Sequence, residues 1–260
     1  MWENATFFLK LSKISHKGKI LETIGNLSSL KDLRLYTNQL TGSIPETIGN
    51  LSSLTHLYLY NNQLTGTIPE TIGNLSSLTY LYLYKNELTG LIPETIGNLP
   101  NLEVLKLSNN ELAGSIPVSI GNLTNLKDLS LHYNQLTGVI PESIGNLTNL
   151  TNLVLADNIL SGGVPESIGN LTKLTYLGLY RNELDGVIPE TIGNMVNLNK
   201  AYLFQNKLTG SIPTTIGNLT KLTSFTVNTV KDWSDNFSIL DYNKLAQLTD
   251  HAFYDVNAFQ

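Results

Sequence analysis

Four histidines, His16, His56, His132 and His251, and a scatter of carboxylates are the side chains of this 260-residue chain best suited to moving protons or holding a metal. Catalysis needs a nucleophile, a proton acceptor and an orienting group in one place. His56 follows Asp32 by 24 residues, which puts the two on neighbouring parallel strands ~4.8 Å apart, close enough to pair. No serine completes a triad with them, so the pair reads as a surface ion pair. His132 beside Tyr133 reads the same way, and His16 and His251 match no metal-ligand spacing. The chain has no cysteine, which removes disulfides, thiolate metal sites and cysteine nucleophiles. The glutamates of the recurring "PETIGN" suit the first turn of a helical segment, and its glycines lack the strand–loop–helix setting of a phosphate loop. No catalytic residue, metal or cofactor is assigned, and an enzyme is the least expected class.

Recognition is the chemistry the residue types favour. In "LTHLYLYNNQLTG", Leu54 to Gly66, Leu57 and Leu59 alternate with Tyr58 and Tyr60, so if the leucines face a core the two rings face water. Ten of the twelve tyrosines fall in such windows: Tyr36, Tyr58, Tyr60, Tyr80, Tyr82, Tyr84, Tyr133, Tyr176, Tyr180 and Tyr202. Tyrosine supplies large, rigid contact area at low entropic cost.

What positions these rings is a repeat. Asn38, Asn62, Asn86, Asn110, Asn134, Asn158, Asn182 and Asn206 recur every 24 residues without an insertion, and glycines from Gly25 to Gly217 and prolines from Pro45 to Pro213 keep the same beat. A fixed period of this length means stacked coils, each touching only its neighbours. Within one unit Leu54, Leu57, Leu59, Leu64, Ile68, Ile72 and Leu75 fill the interior. Asn62 pairs backbone groups where the chain leaves the strand, and the eight such residues form a ladder. Gly66 makes a tight corner, Pro69 starts a short helical turn and Gly73 ends it. Residues 45–68 and 69–92 differ at four of 24 positions, as recent duplication or design would leave them.

The unit "PETIGNLSSLTHLYLYNNQLTGTI" resembles the plant-type leucine-rich repeat, marked by LTGxIPxxIGNLxxLxxLxLxxN, and the likeness runs from residue 20 to 230. It implies an α/β solenoid, a horseshoe or right-handed superhelix, with a parallel concave β-sheet and 3-10 or helical turns on the convex side. Three segments follow: a degenerate N-terminal capping coil over 1–20, with Trp2, Phe7 and Phe8 as lids; the solenoid over 21–230; and a C-terminal cap over 231–260, helical from the capping pattern at Ser238 and Asp241. Plant receptor ectodomains usually close with cysteine-bearing caps, and this chain departs from them there. A fragment, a non-plant relative and an engineered array stay open. The resemblance implies a secreted or cell-surface protein. Against that, Glu3 stands where a signal peptide carries positive charge, so localisation is left open. Asn26, Asn50, Asn74, Asn122, Asn146, Asn170 and Asn218 begin N-x-S/T triplets, with Asn4, Asn149 and Asn236 outside that series. The repeat itself explains most of them.

Equivalent outward positions line up as columns. The candidate partner-binding residues are Arg34, Tyr36, His56, Tyr58, Tyr60, Tyr80, Tyr82, Tyr84, Lys106, His132, Tyr133, Tyr176, Tyr180, Tyr202 and Phe204. They form two aromatic walls, with Ser108, Ser130, Val154, Ala156 and Gly178 as a low floor between. The expected function is a non-catalytic module binding a protein or peptide on this face. A glycan or cell wall is the second class, and a scaffold without natural ligand the third. Ice binding through Thr41, Thr65, Thr89, Thr137 and Thr209 is disfavoured because Ala113 and Asp185 break the row. Rings that merely brace the sheet, or were copied by duplication, compete with all of these. A net charge of −5, thinly spread, speaks against nucleic acid; no segment reaches the ~20 apolar residues of a membrane span; a monomer is expected.

Overall fold

A computed structural model describes residues 7–227. The lid assigned to Trp2, the helical cap over 231–260, His251, and the triplets at Asn4 and Asn236 lie outside the described residues.

Each 24-residue unit makes one coil. Its xLx segment forms a three-residue strand, such as His56–Tyr58, and these strands build a parallel sheet of ten among the described residues, from Phe7–Lys10 to Ser224–Thr226, in sequence order. Leu54, Leu57, Leu59, Leu64, Ile72 and Leu75 are fully buried, Ile68 nearly so, and their equivalents run as one core along the solenoid. Burying a leucine is worth about 1.5–3 kcal/mol, so every coil brings its own share of stability and passes it only to its neighbours. The turns after each proline are 3-10, for instance Glu70–Asn74, with the proline carbonyl accepting from the isoleucine amide (Ile72 N to Pro69 O, 3.0 Å). Among the described residues no helix is long and apolar enough to cross a membrane.

The ladder forms as expected. Asn86 donates from Nδ2 to the carbonyls of Leu59 (3.1 Å) and Leu83 (2.9 Å), and its Oδ1 accepts from the amide of Leu64 (3.1 Å). One side chain therefore satisfies groups of its own coil and of the coil before it. The same pattern runs from Asn38, which reaches Leu11, Leu35, Ile14 and His16, to Asn206.

Three details differ from the sequence reading. The "QLTG" segments are strands as well as corners: among the described residues, Lys17–Lys19 through Glu183–Leu184 form a second parallel sheet of eight on the flank. The glycine of that segment has φ of 71–76° at every unit from Gly42 to Gly210, so it ends the strand in a conformation that disfavours a side chain. Gly73 does not end its turn by a left-handed backbone. It is glycine because a Cβ there would run into the Thr95 carbonyl and side chain of the next coil, and Gly49, Gly97, Gly121, Gly145, Gly169 and Gly193 meet the same obstacle. The backbone before each ladder asparagine is fixed as well, since Thr37, Asn61, Lys85, Asn109, Tyr133, Asp157, Arg181 and Gln205 all have φ of 51–57°. Finally, Phe8 is no lid: it stands 55% exposed in the Asp32 column with the Lys10 ammonium 4.8 Å from its ring.

The triplet asparagines of the main series are exposed on the far side of the coil from the ten-stranded sheet. Asn149, outside that series, is engaged, donating to the Thr124 carbonyl (2.8 Å) and accepting from Lys173 (2.7 Å).

Replacing Asn110 by alanine removes donors to the Leu83 and Leu107 carbonyls and the acceptor for the Leu88 amide, all buried. Each unmet buried group costs about 1–3 kcal/mol, so Asn110→Ala should lower unfolding free energy by roughly 3 kcal/mol or more in a urea titration. An unchanged midpoint would refute the ladder's role.

Candidate partner-binding face

Strand register brings the predicted columns into being. Asp32, His56, Tyr80, Val104, Asp128, Asn152, Tyr176 and Lys200 are successive partners across the ten-stranded sheet, as are Arg34, Tyr58, Tyr82, Lys106, Ser130, Val154, Gly178 and Tyr202. A third column, two residues further along, carries Tyr36, Tyr60, Tyr84, Ser108, His132, Ala156, Tyr180 and Phe204.

The rings are packed on one another. Tyr36, Tyr60 and Tyr84 stack nearly parallel at 4.5 and 4.4 Å, and Tyr58 lies on Tyr82 at 4.7 Å. His56 stacks on Tyr80 at 4.8 Å. The Tyr58–Tyr82 pair carries a cation at each end, with Arg34 5.1 Å from the first ring and Lys106 5.6 Å from the second, an arrangement the ring quadrupole favours. Seven aromatic or imidazole rings thus form one cluster. At the other end Tyr180 stacks on Phe204 at 4.9 Å and Tyr176 meets Tyr202 edge to face at 5.6 Å. Tyr133 belongs to neither wall. It occupies a left-handed corner, 48% exposed, edge-on to His132 at 5.7 Å.

The surface ion pair expected between Asp32 and His56 is not made. Asp32, almost wholly buried, takes the guanidinium of Arg34 at 2.8 and 3.0 Å, two residues along the same strand face, with Lys10 at 3.9 Å. His56 turns to Thr55 instead, Nδ1 to Oγ1 2.8 Å. The Thr55 hydroxyl proton goes to the Lys31 carbonyl at 2.8 Å, so the imidazole Nδ1 carries the hydrogen and donates. Burial lowers the pKa of His56, with Asp32 opposing, and burial likewise lowers that of His132, with Asp157 and Asp128 opposing. Burial and the Asp128 pair act oppositely on Lys106, and its pKa ends raised.

Asp128, in the Asp32 column, is the hub of the floor. It accepts from Lys106 (2.9 Å), Ser130 (2.9 Å) and Asn152 (2.8 Å). Between Tyr82, Tyr84 and Lys106 on one side and Ser108, Ser130 and His132 on the other is a hollow of about 280 Å³. The Asp32–Arg34 spacing was legible in the sequence as two residues on one strand face; the cross-coil diagonal from Lys106 to Asp128 was not. Among the described residues no cluster of three His, Cys, Asp or Glu could hold a metal ion.

Burial pushes the hydroxyls of Tyr58, Tyr60 and Tyr176 up to about 12. For Tyr60, neighbouring Tyr84 and Tyr36 and a hydroxyl–hydroxyl hydrogen bond to Tyr84 add to it. Unfolded tyrosine ionises near 10. A raised folded pKa gives stability that is complete below about pH 10 and is lost as pH rises toward 12. The phenolate absorbance of the folded protein should therefore rise in two stages, with the later stage reduced in Tyr58→Phe/Tyr60→Phe. A single transition near the ordinary tyrosine value would show that these rings are not packed as described.

Comparison with known proteins places this geometry. The sequence model of a family described as a leucine-rich repeat region matches residues 7–136, 70–161 and 116–250. No curated protein matches. Among solved structures, the plant peptide hormone receptor RGFR1 in complex with RGF2 is 41% identical with a TM-score of 0.83, over 84% of this chain and 35% of that one. The Arabidopsis receptor kinase HAESA, in complex with the peptide hormone IDA and the co-receptor SERK1, is 37% identical with a TM-score of 0.80, over 87% and 39%. A plant ice-binding protein is 31% identical with a TM-score of 0.62, over 79% and 74%. The chain spans little more than a third of either receptor.

Proposed function

The chain belongs to the leucine-rich repeat proteins of plant type, and from that premise we propose that it is a non-catalytic recognition module that binds a peptide on the outer face of its ten-stranded sheet. The observation that carries this is the gathering of seven stacked rings at one end of that face and four at the other, over a floor of small side chains. Exposed aromatic patches of this extent mark contact sites more often than accidents. The likeness to receptors solved with peptide hormones supports the same class of partner.

A glycan fits less well. Sugars stack on open ring faces, and most faces here are covered by the next tyrosine. Tyr60, for example, has Tyr36 on one side and Tyr84 on the other.

The test is to immobilise the protein and a Tyr60→Ala/Tyr82→Ala variant and expose both to one peptide extract. Peptides retained by the parent should bind the variant about tenfold or more weakly, a loss of roughly 1.4 kcal/mol. The two substitutions remove three close ring pairs, each worth about 0.5–1.5 kcal/mol, so the melting temperature should fall by several degrees while the cooperative folding transition remains. Equal retention would defeat the proposal.

Ice binding is the second reading, favoured by the likeness to a plant ice-binding protein of which the match covers 74%. Thr41, Thr65, Thr137 and Thr209 stand exposed on or beside the flanking sheet, one per coil. Glu87, Glu111, Glu183 and Asp185 share that surface or its edge, and charges bind water rather than a lattice, which ranks this reading second. Thermal hysteresis is expected to be absent at micromolar protein; a clear hysteresis gap would reverse the ranking.

A further inference from the structure

Taking the peptide-binding reading as its basis, we infer the class of ligand: an uncharged segment of about six or seven residues, lying across the strands, with a ring-bearing side chain at each end.

The length follows from the two walls. Tyr84 and Tyr180 stand on coils four strand positions apart, about 19 Å at ordinary strand spacing. Tyr82 and Tyr202 are five apart, about 24 Å. An extended chain rises about 3.3 Å per residue, so six or seven residues bridge the walls.

The ends follow from the ring faces. One face of Tyr84 is covered by Tyr60 at 4.4 Å and 9°, and one face of Tyr180 by Phe204 at 4.9 Å and 4°. Because these stacks run along the column, the opposite faces are turned inward, toward Ser108 on one side and Ala156 on the other. A bare ring face in a trough takes another flat ring, aromatic or proline. The two ends differ. Beside Tyr84 is the hollow of about 280 Å³ lined by Lys106, Ser108, Ser130 and His132, suited to a ring that carries a polar group. Beside Tyr180 the floor is Val154 and buried Ala156, with the Tyr176 ring lying over Gly178, suited to an apolar ring.

The absence of charge in the ligand follows from the charges on the face, which are already matched. Arg34 is held by Asp32, Lys106 by Asp128 and Arg181 by Asp157 at 3.3 Å. Asp128 also accepts from Ser130 and Asn152. A ligand carboxylate or ammonium lying on this floor would have to break one of these pairs or be buried without a partner, and either is costly. Lys200 is exposed on the far wall, and Lys85, at the rim of the hollow beside Tyr84, is exposed as well; water and salt screen both. The lowered pKa of both His56 and His132 agrees with a face that stays neutral near pH 7.

A phage-displayed library of random heptapeptides, selected on the folded protein at physiological and at high salt, tests this. The enriched peptides should carry an aromatic residue or proline near both ends and no Asp, Glu, Lys or Arg between them. They should survive high salt, lose about tenfold or more in affinity on Tyr84→Ala or Tyr180→Ala, and keep it on Tyr84→Phe, which preserves the ring face. Peptides that are lost in both alanine variants but are charged in the middle and eluted by salt would overturn the inferred ligand class and leave the binding face standing. Peptides indifferent to both variants, or no enrichment at all, would overturn the peptide-binding reading itself.

Discussion

The structure depends on how three-residue strands end. A strand such as His56–Tyr58 is too short to hold its chain by ladder hydrogen bonds alone, and three residues beyond it, at Asn61, the backbone passes through a left-handed conformation and leaves the sheet. That bend exposes carbonyls which the next coil would bury. The ladder asparagine meets them from the side, two carbonyls and one amide per residue, with one carbonyl and the amide belonging to the preceding coil. The same amide therefore shapes the turn and joins consecutive coils. Since every ladder member bonds across the coil boundary, an insertion in one unit would break the contact on both sides of it. The period of 24 without insertion is what such a ladder requires.

Glycine enforces the same closeness on the opposite side of the coil. At Gly73 and its equivalents there is no room for a Cβ against the next 3-10 turn, and the hydroxyl of Thr95 reaches back to the Glu70 carbonyl at 2.7 Å. Glu70 also accepts from that hydroxyl through its carboxylate at 3.0 Å. The glutamate expected to answer a helix dipole thus ties one coil to the next. With both sides of each coil drawn tight, the strands stand in register and their outward side chains form straight columns. Stacking of Tyr36, Tyr60 and Tyr84 within about 10° of parallel is a consequence of that register.

The sequence made legible whatever recurs. The leucines of the core, the ladder, the corner at Gly66 and the composition of the columns could be read because one coil repeats the last. Three features resisted because periodicity marks a position without saying why it is fixed. "QLTG" signals a corner through its glycine, and the pairing of the residues before it into a second sheet depends on how closely the coils stack. Gly73 looks like a turn terminator and is a contact glycine. The Asn61 position varies in identity while its backbone is held left-handed: asparagine or aspartate, which tolerate that region, fills it at Asn61, Asn109 and Asp157, and Thr37, Lys85, Tyr133, Arg181 and Gln205 are held there all the same. At the candidate site the columns were legible and their electrostatics only partly so. Asp32 was paired with His56 by adjacency, but the guanidinium of Arg34, on the same strand face, is the stronger and better-shaped partner for a nearly buried carboxylate.

Whether the rings serve the sheet or a ligand turns on their distribution. Cross-strand aromatic pairs contribute about 0.2–1 kcal/mol each, and that gain is open to every coil, because the leucine core beneath is the same throughout. If bracing were the cause, the coils of Lys106, Ser130 and Val154 would have as much reason to carry rings as those of Tyr58 and Tyr82. Their outward positions hold Ser108, Ala156 and the ion-paired Lys106, with His132 and the corner Tyr133 the rings among them, and Asp128 bonded to three neighbours. Copying by duplication accounts for the likeness of the coils of Tyr58 and Tyr82, which differ at four of 24 positions, and not for the separate wall from Tyr176 to Phe204. A local cause at the two walls and a different one at the floor is what the proposed bound segment would impose, and bracing between stacked rings would add rigidity to the walls.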